Sequence, residues 1–464
     1  MTEQEEIAHL REENAELRSM HAQSQVTISV LTDKVELLLS VIEKQGVKKD
    51  SHNSSLAPSS DISRKLRSLR EKSDRPIGGQ IGHKGHTLEM SKIPDSITDL
   101  KSDFCQNCGQ SLQGGMYKLV AHRQVVDIPP IAPIYTEYRQ YACDCSKCGH
   151  VQKPDFPHGV NAPIQYGSQV MSIVSYLSVY QYLPFQRLSK LFADFFKLPI
   201  SQGSIDNILN KSSQKAQIVY EQIHENIAQS TVVGSDETSA KVNGDKWWIW
   251  VWQNIQNTFI VASDNRGFDT IEKHFDTGFA DATLISDRWA AQLKVKSKNH
   301  QLCCAHLLRD VIYLQEAEKN EPNQFAAAFS TLIHQALDFR KELLLTNIAA
   351  TSKHLKAIDL EKQLNLLLAQ VIQSEKYPLS ATFQDSIIKK RNYIFPFLYN
   401  LDIPPDNNGS ERAIRNIKVK QKISGQFKSG QHHFCVLRSV IDTLIKRKID
   451  VFFTLNQIMG LVPE

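Results

Sequence analysis

The stretch Thr231-Val-Val-Gly-Ser-Asp236-Glu-Thr238 marks a change of period. Before it, apolar residues recur at helical spacing. From Thr231 onward they come in short β-branched and aromatic blocks, the pattern of strands. Lys241-Val-Asn-Gly-Asp-Lys-Trp-Trp-Ile-Trp-Val-Trp252 follows, and Asn-Gly between two such blocks is the strongest short hairpin signal. Thr258-Phe-Ile-Val-Ala262 supplies a third strand and Asp269 to Phe275 a short helix. Asp281-Ala-Thr-Leu-Ile-Ser-Asp287 is a fourth strand, again ending in aspartate, and His300-Gln-Leu-Cys-Cys-Ala305 a fifth, leading into a helix through His306, Leu307 and Arg309. Three antiparallel strands, then alternating helix and parallel strand, is the order of the ribonuclease H fold. There a first-strand and a fourth-strand carboxylate lie side by side, and a third arrives on a later helix.

Asp406-Asn-Asn-Gly-Ser-Glu411-Arg-Ala-Ile-Arg415-Asn-Ile-Lys-Val-Lys420 carries that third acid. Asp406 and Asn408 suit a helix N-cap. Helical spacing puts Glu411, Arg415, Lys418 and Lys422 on one face, with Ile414 and Ile417 on another. Asp236, Asp287 and Glu411 therefore fit the three acid positions. Clustered carboxylates repel, and divalent cations relieve the repulsion. Mg²⁺ (or Mn²⁺) suits an all-oxygen shell, and two such ions serve an in-line phosphoryl displacement. Each acid also has a plainer reading, Glu411 as half of a Glu–Arg pair on a solvated amphipathic helix. Asp236 can cap a turn while neighbouring Glu237 serves as the ligand, and Asp287 can pair with Arg288.

Eight cysteines occur, five of them between Cys105 and Cys148. Cys105-Gln-Asn-Cys108-Gly109 and Cys145-Ser-Lys-Cys148-Gly149 are two C-x-x-C-G knuckles, the spacing of a four-thiolate structural zinc. Cys143 can stand in for Cys145. The β-leaning segments Val125–Ile128 and Ile134–Tyr141 between them suggest a zinc ribbon.

Residues 7–42 follow a heptad, with Ile7, Asn14, His21, Ile28, Val35 and Ile42 at a and Leu10, Leu17, Ser24, Leu31 and Leu38 at d. This predicts an oligomerising coiled coil, Asn14 setting its register. Residues 46–90 are rich in Ser, Lys, Arg, Gly and His, as a flexible linker is. Over 166–228 two apolar stripes and a break at Leu198-Pro-Ile-Ser201 resemble a helix-turn-helix, or else an ordinary helical connector. Phe325, Phe329, Leu332, Leu337 and Leu364 to Leu368 mark helices inserted between the second and third acids.

The net charge is only +4, but ten Lys or Arg stand between Ser410 and Lys448 against Glu411 and Asp442. Such clustering suits a polyanion such as double-stranded DNA. The candidate phosphate contacts are Arg412, Arg415, Lys418, Lys420, Lys422, Lys428 and Arg438, with Lys65, Arg67 and Lys84 in the linker. No apolar run approaches the ~18 residues of a membrane span. The acidic first residues lack the order of a signal peptide, so a cytoplasmic, nucleoid-associated protein is expected.

The expected fold class is multidomain α+β. A coiled coil spans 1–45, a basic linker 46–95, a zinc ribbon 96–160 and a helical, helix-turn-helix-like region 161–229. A ribonuclease H-like α/β catalytic core spans 230–309 and 391–430, with an all-helical insertion over 310–390 and a helical tail over 431–464.

Taken in order, the coiled coil, Asn53-Ser-Ser55, Pro58-Ser-Ser-Asp61, Gly78-Gly-Gln-Ile-Gly-His-Lys-Gly-His86, the zinc knuckles, Tyr182-Leu-Pro-Phe-Gln-Arg187, Ser201-Gln-Gly203, Asp236-Glu-Thr238 and Asp406-Asn-Asn-Gly-Ser-Glu411-Arg-Ala-Ile-Arg415 form a pattern. The chain resembles the large, TnpC-like transposase of the insertion-sequence family sixty-six. The resemblance implies a DDE transposase with Asp236, Asp287 and Glu411 as its acids. Its activity would be Mg²⁺-dependent cleavage at element ends and strand transfer into target DNA, with accessory proteins of the same element as possible partners. The chain departs from the family pattern at Leu56-Ala57-Pro58, at Ser-Asp287-Arg-Trp and at Gln421-Lys-Ile-Ser-Gly-Gln-Phe427.

Overall fold

The computed structural model describes residues 9, 14–18, 20–29, 31–32, 34–35, 82, 88–318, 324–345 and 350–461. Lys65, Arg67, Lys84 and the heptad positions Ile7, Leu10, Leu38 and Ile42 lie outside these residues. Those described between Asn14 and Val35 are helical, and Leu17, Ile28, Leu31 and Val35 of the heptad are exposed. Among the described residues no helix is long and apolar enough to cross a membrane.

The chain divides into two compact units: Leu66–Glu137 with Leu191–Pro199, and Met1–Lys65 with Tyr138–Lys190 and Ile200–Glu464. In the smaller unit the Cys105–Gly109 turn is closed by one bridge, Phe104 to Ser111. No strand forms over Val125–Ile128 or Ile134–Tyr141, where β-leaning sequence suggests a ribbon; Val125, Ile128 and Ile134 stay exposed. Strand propensity without a neighbour to take the backbone bonds and cover one face does not make a sheet.

In the larger unit β1 (Cys143–Asp144) and β2 (Val151–Gln152) make a short antiparallel pair. The main sheet comprises β3 (Val232–Val242), β4 (Asp245–Gln253), β5 (Thr258–Ser263), β6 (Phe279–Ser286) and β7 (Ser297–Leu302) in the order β5-β4-β3-β6-β7. β3, β4 and β5 are antiparallel, whereas β6 runs parallel to β3 and β7 to β6. The expected hairpin forms, with Asn243 at φ +50° and Gly244 at φ +92°. Two successive positive φ angles give a turn whose twist matches that of the strands.

The edge strand β5 is covered by the Gln431–Lys446 helix. Its Thr258 and Ile260 N–H groups donate to Thr443 Oγ1 at 3.1 Å and Ser439 Oγ at 2.9 Å. Hydroxyls on a helix thus complete a ladder that would otherwise end open. Residues 431–461 are therefore part of the core rather than a tail. The Val451–Gly460 helix packs on the Ser168–Ser175 helix, and Gln202–Lys215 packs on both Ser168–Ser175 and Gln431–Lys446. Ser201 caps Gln202–Lys215, its hydroxyl accepting from Ser204 N at 3.0 Å.

The inserted helices Gln324–Leu345, Ala350–Leu368 and Pro378–Ile388 bury Phe329, Ile333, Ala336, Leu364, Phe383 and Ile387 together. Leu302, Cys304 and Leu307 join that cluster, so the insertion is packed onto the end of β7.

The Asn408–Ser424 helix lies against β3 through a close approach. Asn407 is buried, donating from Nδ2 to Ser235 O at 2.7 Å and accepting from Ser410 Oγ at 2.7 Å. The Gln253 side chain fills the space between Gly234 and Gly409. Lys446 Nζ holds Gln253 Oε1 at 2.7 Å, with Asn254 O at 2.7 Å and Asn257 O at 2.9 Å. Burial pushes the Lys446 ammonium down to about 7, against the pull of Asp442. A methyl group on Gly409 would stand 2.6 Å from Gln253 Oε1. Gly409→Ala is expected to lower stability by about 1–3 kcal/mol, the range for overpacking, read as a shifted urea midpoint.

Candidate active site

Asp236 sits within β3, opposite Val251 of β4. The parallel register pairs Gly234 with Ile285, so Asp236 and Asp287 each lie two residues further along neighbouring chains. The sheet itself therefore sets the first two acids beside one another. Burial pushes the Asp236 carboxyl well above the usual carboxylate range, and Glu237, Asp287 and Glu411 add to this by like charge. One hydrogen bond from Glu237 N at 2.9 Å opposes the shift.

Glu237 faces a different setting. Its Oε1 accepts from Arg266 Nε at 3.0 Å and lies 2.9 Å from Nη2, while Oε2 accepts from Gln292 Nε2 at 3.1 Å. With its side chain 2% exposed, Glu237 is already committed to a guanidinium and an amide. Of the two adjacent acids, Asp236 is the one without a cationic partner of this kind among the described residues.

Asp287 follows the end of β6, and its Oδ1 accepts from Trp289 N at 2.8 Å. The local Asp287–Arg288 pair does not form; Arg288 reaches Asp310 Oδ2 at 2.6 Å instead. Glu411 lies in the first turn of the Asn408–Ser424 helix. Arg309 Nη2 donates to its Oε1 at 3.2 Å and Oε2 at 3.4 Å, and His306 Nε2 is 3.8 Å from Oε1. Burial, and then Arg309, push the His306 imidazole below its ordinary range. Among the described residues no group of three or more His, Cys, Asp or Glu is placed to hold a metal ion. The third acid is drawn instead toward Arg309 and His306.

Arg309 and His306, which contact Glu411, are not singled out by sequence reasoning. Their signal is present in the spacing: three residues apart on the helix after β7, they share a face. Asn407, Gly409 and Ser410 belong to the acid motif, and their part in seating the helix appears only in three dimensions.

The basic residues divide. Arg412, Arg415, Lys422 and Lys428 are exposed. Lys418 turns inward and donates to Ser239 O at 2.8 Å, and Lys420 lies 5.8 Å from the Phe185 ring centroid. Burial lowers the affinity of both ammoniums for their protons. Arg438, expected to neutralise phosphate, is a core residue. It is ion-paired with Asp442, donates to Tyr182 Oη at 2.9 Å and is 1% exposed. A charge cluster read along the chain does not reveal which side of a helix faces solvent.

Each cysteine knuckle forms the same turn in its own unit. Cys105 N donates to Gln110 O and Gly109 N to Cys105 O, with Gly109 at φ +70°. Cys145 N donates to His150 O and Gly149 N to Cys145 O, with Gly149 at φ +69°. Backbone N–H bonds within the turns lower the Cys105 and Cys145 thiols. Cys143 lies in β1 outside the turn.

Residues 163–432 match the family described as Transposase IS66 family. The chain belongs to this family. The matched span takes in the main sheet and Asp236, Asp287 and Glu411, and the IS66 transposase role is one of DNA processing. No curated protein matches the chain.

Removing one charge from this set of acids should relieve repulsion. Asp236→Asn is expected to make the metal-free IS66 protein more stable at neutral pH, read as a higher urea midpoint. Urea unfolding in the presence of EDTA checks this, and equal or lower stability would count against the charge reading.

Proposed function

We propose that the mixed sheet is a ribonuclease H-like catalytic core in which Asp236, Asp287 and Glu411 serve Mg²⁺-dependent cleavage of insertion-sequence ends and strand transfer into target DNA. What supports the reading is the parallel register of the strands that carry Asp236 and lead to Asp287, together with the like-charge influence of Glu411 on Asp236. The donor set fits a hard cation: the three side chains offer only oxygen, and Asp236 carries a like-charge cost that a divalent ion would relieve. Bound there, Mg²⁺ (or Mn²⁺) would supply Lewis-acid activation at a phosphodiester.

The chain's own residues then have separate tasks. The sheet orients Asp236 and Asp287, and the lock around Gln253 orients Glu411. Arg309 holds the Glu411 carboxylate. Arg412, Arg415, Lys422 and Lys428 offer exposed charge to the DNA backbone, contacts that position without reading sequence. The exposed heptad residues suit pairing of protomers, so that two element ends can meet, and accessory proteins of the element would act beside them. The setting would be the nucleoid, in the cytoplasm. In an assay with supercoiled plasmid, an element end and Mg²⁺, the wild-type protein is expected to nick and join. Glu411→Gln should bind the DNA and do neither. Joining by the Glu411→Gln variant, or binding without any cleavage by the wild type, would overturn the catalytic reading.

The two C-x-x-C-G turns are proposed zinc ligands, because each aims backbone N–H groups at a thiolate, as structural zinc knuckles require. Protein purified with zinc in the buffer should retain it after dialysis. Cys105→Ser and Cys145→Ser should each lower the zinc content, and Cys143→Ser should leave it unchanged. Metal analysis showing zinc-free protein would remove the proposal.

A further inference from the structure

On the face of the sheet that carries Glu237, opposite the Asp236 face, the protein builds a ladder of flat groups that ends at the Asp287 turn. The Arg266 guanidinium lies 4.5 Å from the Trp248 ring centroid and 4.1 Å from that of Trp289. Lys246 adds a second cation 5.1 Å from Trp248. Glu237 grips Arg266 from the sheet and keeps its plane in place. The Trp289 backbone N–H donates to Asp287 Oδ1 at 2.8 Å, which places the residue in the turn that follows the second acid. The core does not require this ladder; the fully buried Trp250 and Trp252 fill the same strand's interior, stacked at 5.6 Å. Trp289 is instead 37% exposed. A large ring at the surface, backed by a guanidinium that an acid holds in place, has the construction of a stacking platform. Such platforms take bases regardless of sequence, because every base has a π-face, and nearby cations draw in the strand.

We propose that the Trp248–Arg266–Trp289 ladder is a binding site for a nucleobase, with the exposed Trp289 ring stacking on an unpaired base of the DNA next to the scissile phosphate. The proposal rests on the reading of Asp287 as part of a DNA-cleaving site. It adds a requirement which that reading lacks: the DNA must present a base outside the duplex stack, and Trp289 receives it.

The test compares the full chain binding two DNA duplexes of identical length and sequence, one fully paired and one with the terminal two bases of one strand unpaired and carrying 2-aminopurine. The wild type is expected to bind the unpaired end roughly tenfold more tightly, the size of one stacked base, and to quench the 2-aminopurine. Trp289→Ala should bring the affinity ratio close to one and abolish the quenching. Trp289→Phe, which keeps an aromatic face, should retain most of both. An unchanged ratio in Trp289→Ala, or a wild-type ratio near one, overturns the proposal. If the wild type still joins DNA ends while Trp289→Ala keeps the ratio, only the stacking proposal falls. If the wild type binds neither duplex, the DNA-cleavage reading falls with it.

Discussion

The candidate site depends on how closely the Asn408–Ser424 helix approaches β3. Two glycines, Gly234 and Gly409, leave the room, and the Gln253 side chain occupies it. Asn407 and Ser410 then bond the helix start to the strand backbone, and Lys446 secures Gln253 from the opposite side. Glu411 follows Gly409 by two residues, so the lock determines where the third acid stands. The Asp406-Asn-Asn-Gly-Ser-Glu411 motif is thus a docking device as well as a carrier of the acid. Interiors pack as densely as organic crystals, so a change of one methyl group at either glycine has to move a bonded side chain.

Electrostatics separates neighbours that composition treats alike. Glu237 and Asp236 are consecutive acids, and burial raises both carboxyls, yet Glu237 is ion-paired with Arg266 while Asp236 is left among other carboxylates. The same holds for the lysines and arginines of the C-terminal region. Arg438 pairs with Asp442 in the core and Lys446 serves three backbone and side-chain oxygens, while Arg412 and Arg415 remain free to meet solvent. Burial without a partner is costly for a charge, and each inward-facing cation here has acceptors or an aromatic ring to meet it.

Much of the strand layout is legible in residue type and spacing. The Asn243-Gly244 turn, the three blocks that form β3, β4 and β5, and the two strands ending near Asp287 and Cys303 follow from local rules, because turn chemistry and alternation act over a few residues. The ribbon strands expected at Val125–Ile128 and Ile134–Tyr141 do not form, since a strand needs a neighbour that local sequence does not guarantee. The 431–461 segment has the helical spacing of a tail, yet it covers the β5 edge with Ser439 and Thr443.

The sequence by itself determined the order of the strands, the two cysteine turns and membership of the IS66 transposase family. Each rests on residue type and spacing, which a chain carries whether folded or not. Only the tertiary structure decided which acid lacks a cation, which basic residues face outward, that Arg309 and His306 meet Glu411, and that Trp289 stands exposed against Arg266. These are contacts between segments dozens to hundreds of residues apart, and desolvation and Coulomb terms act through space rather than along the chain.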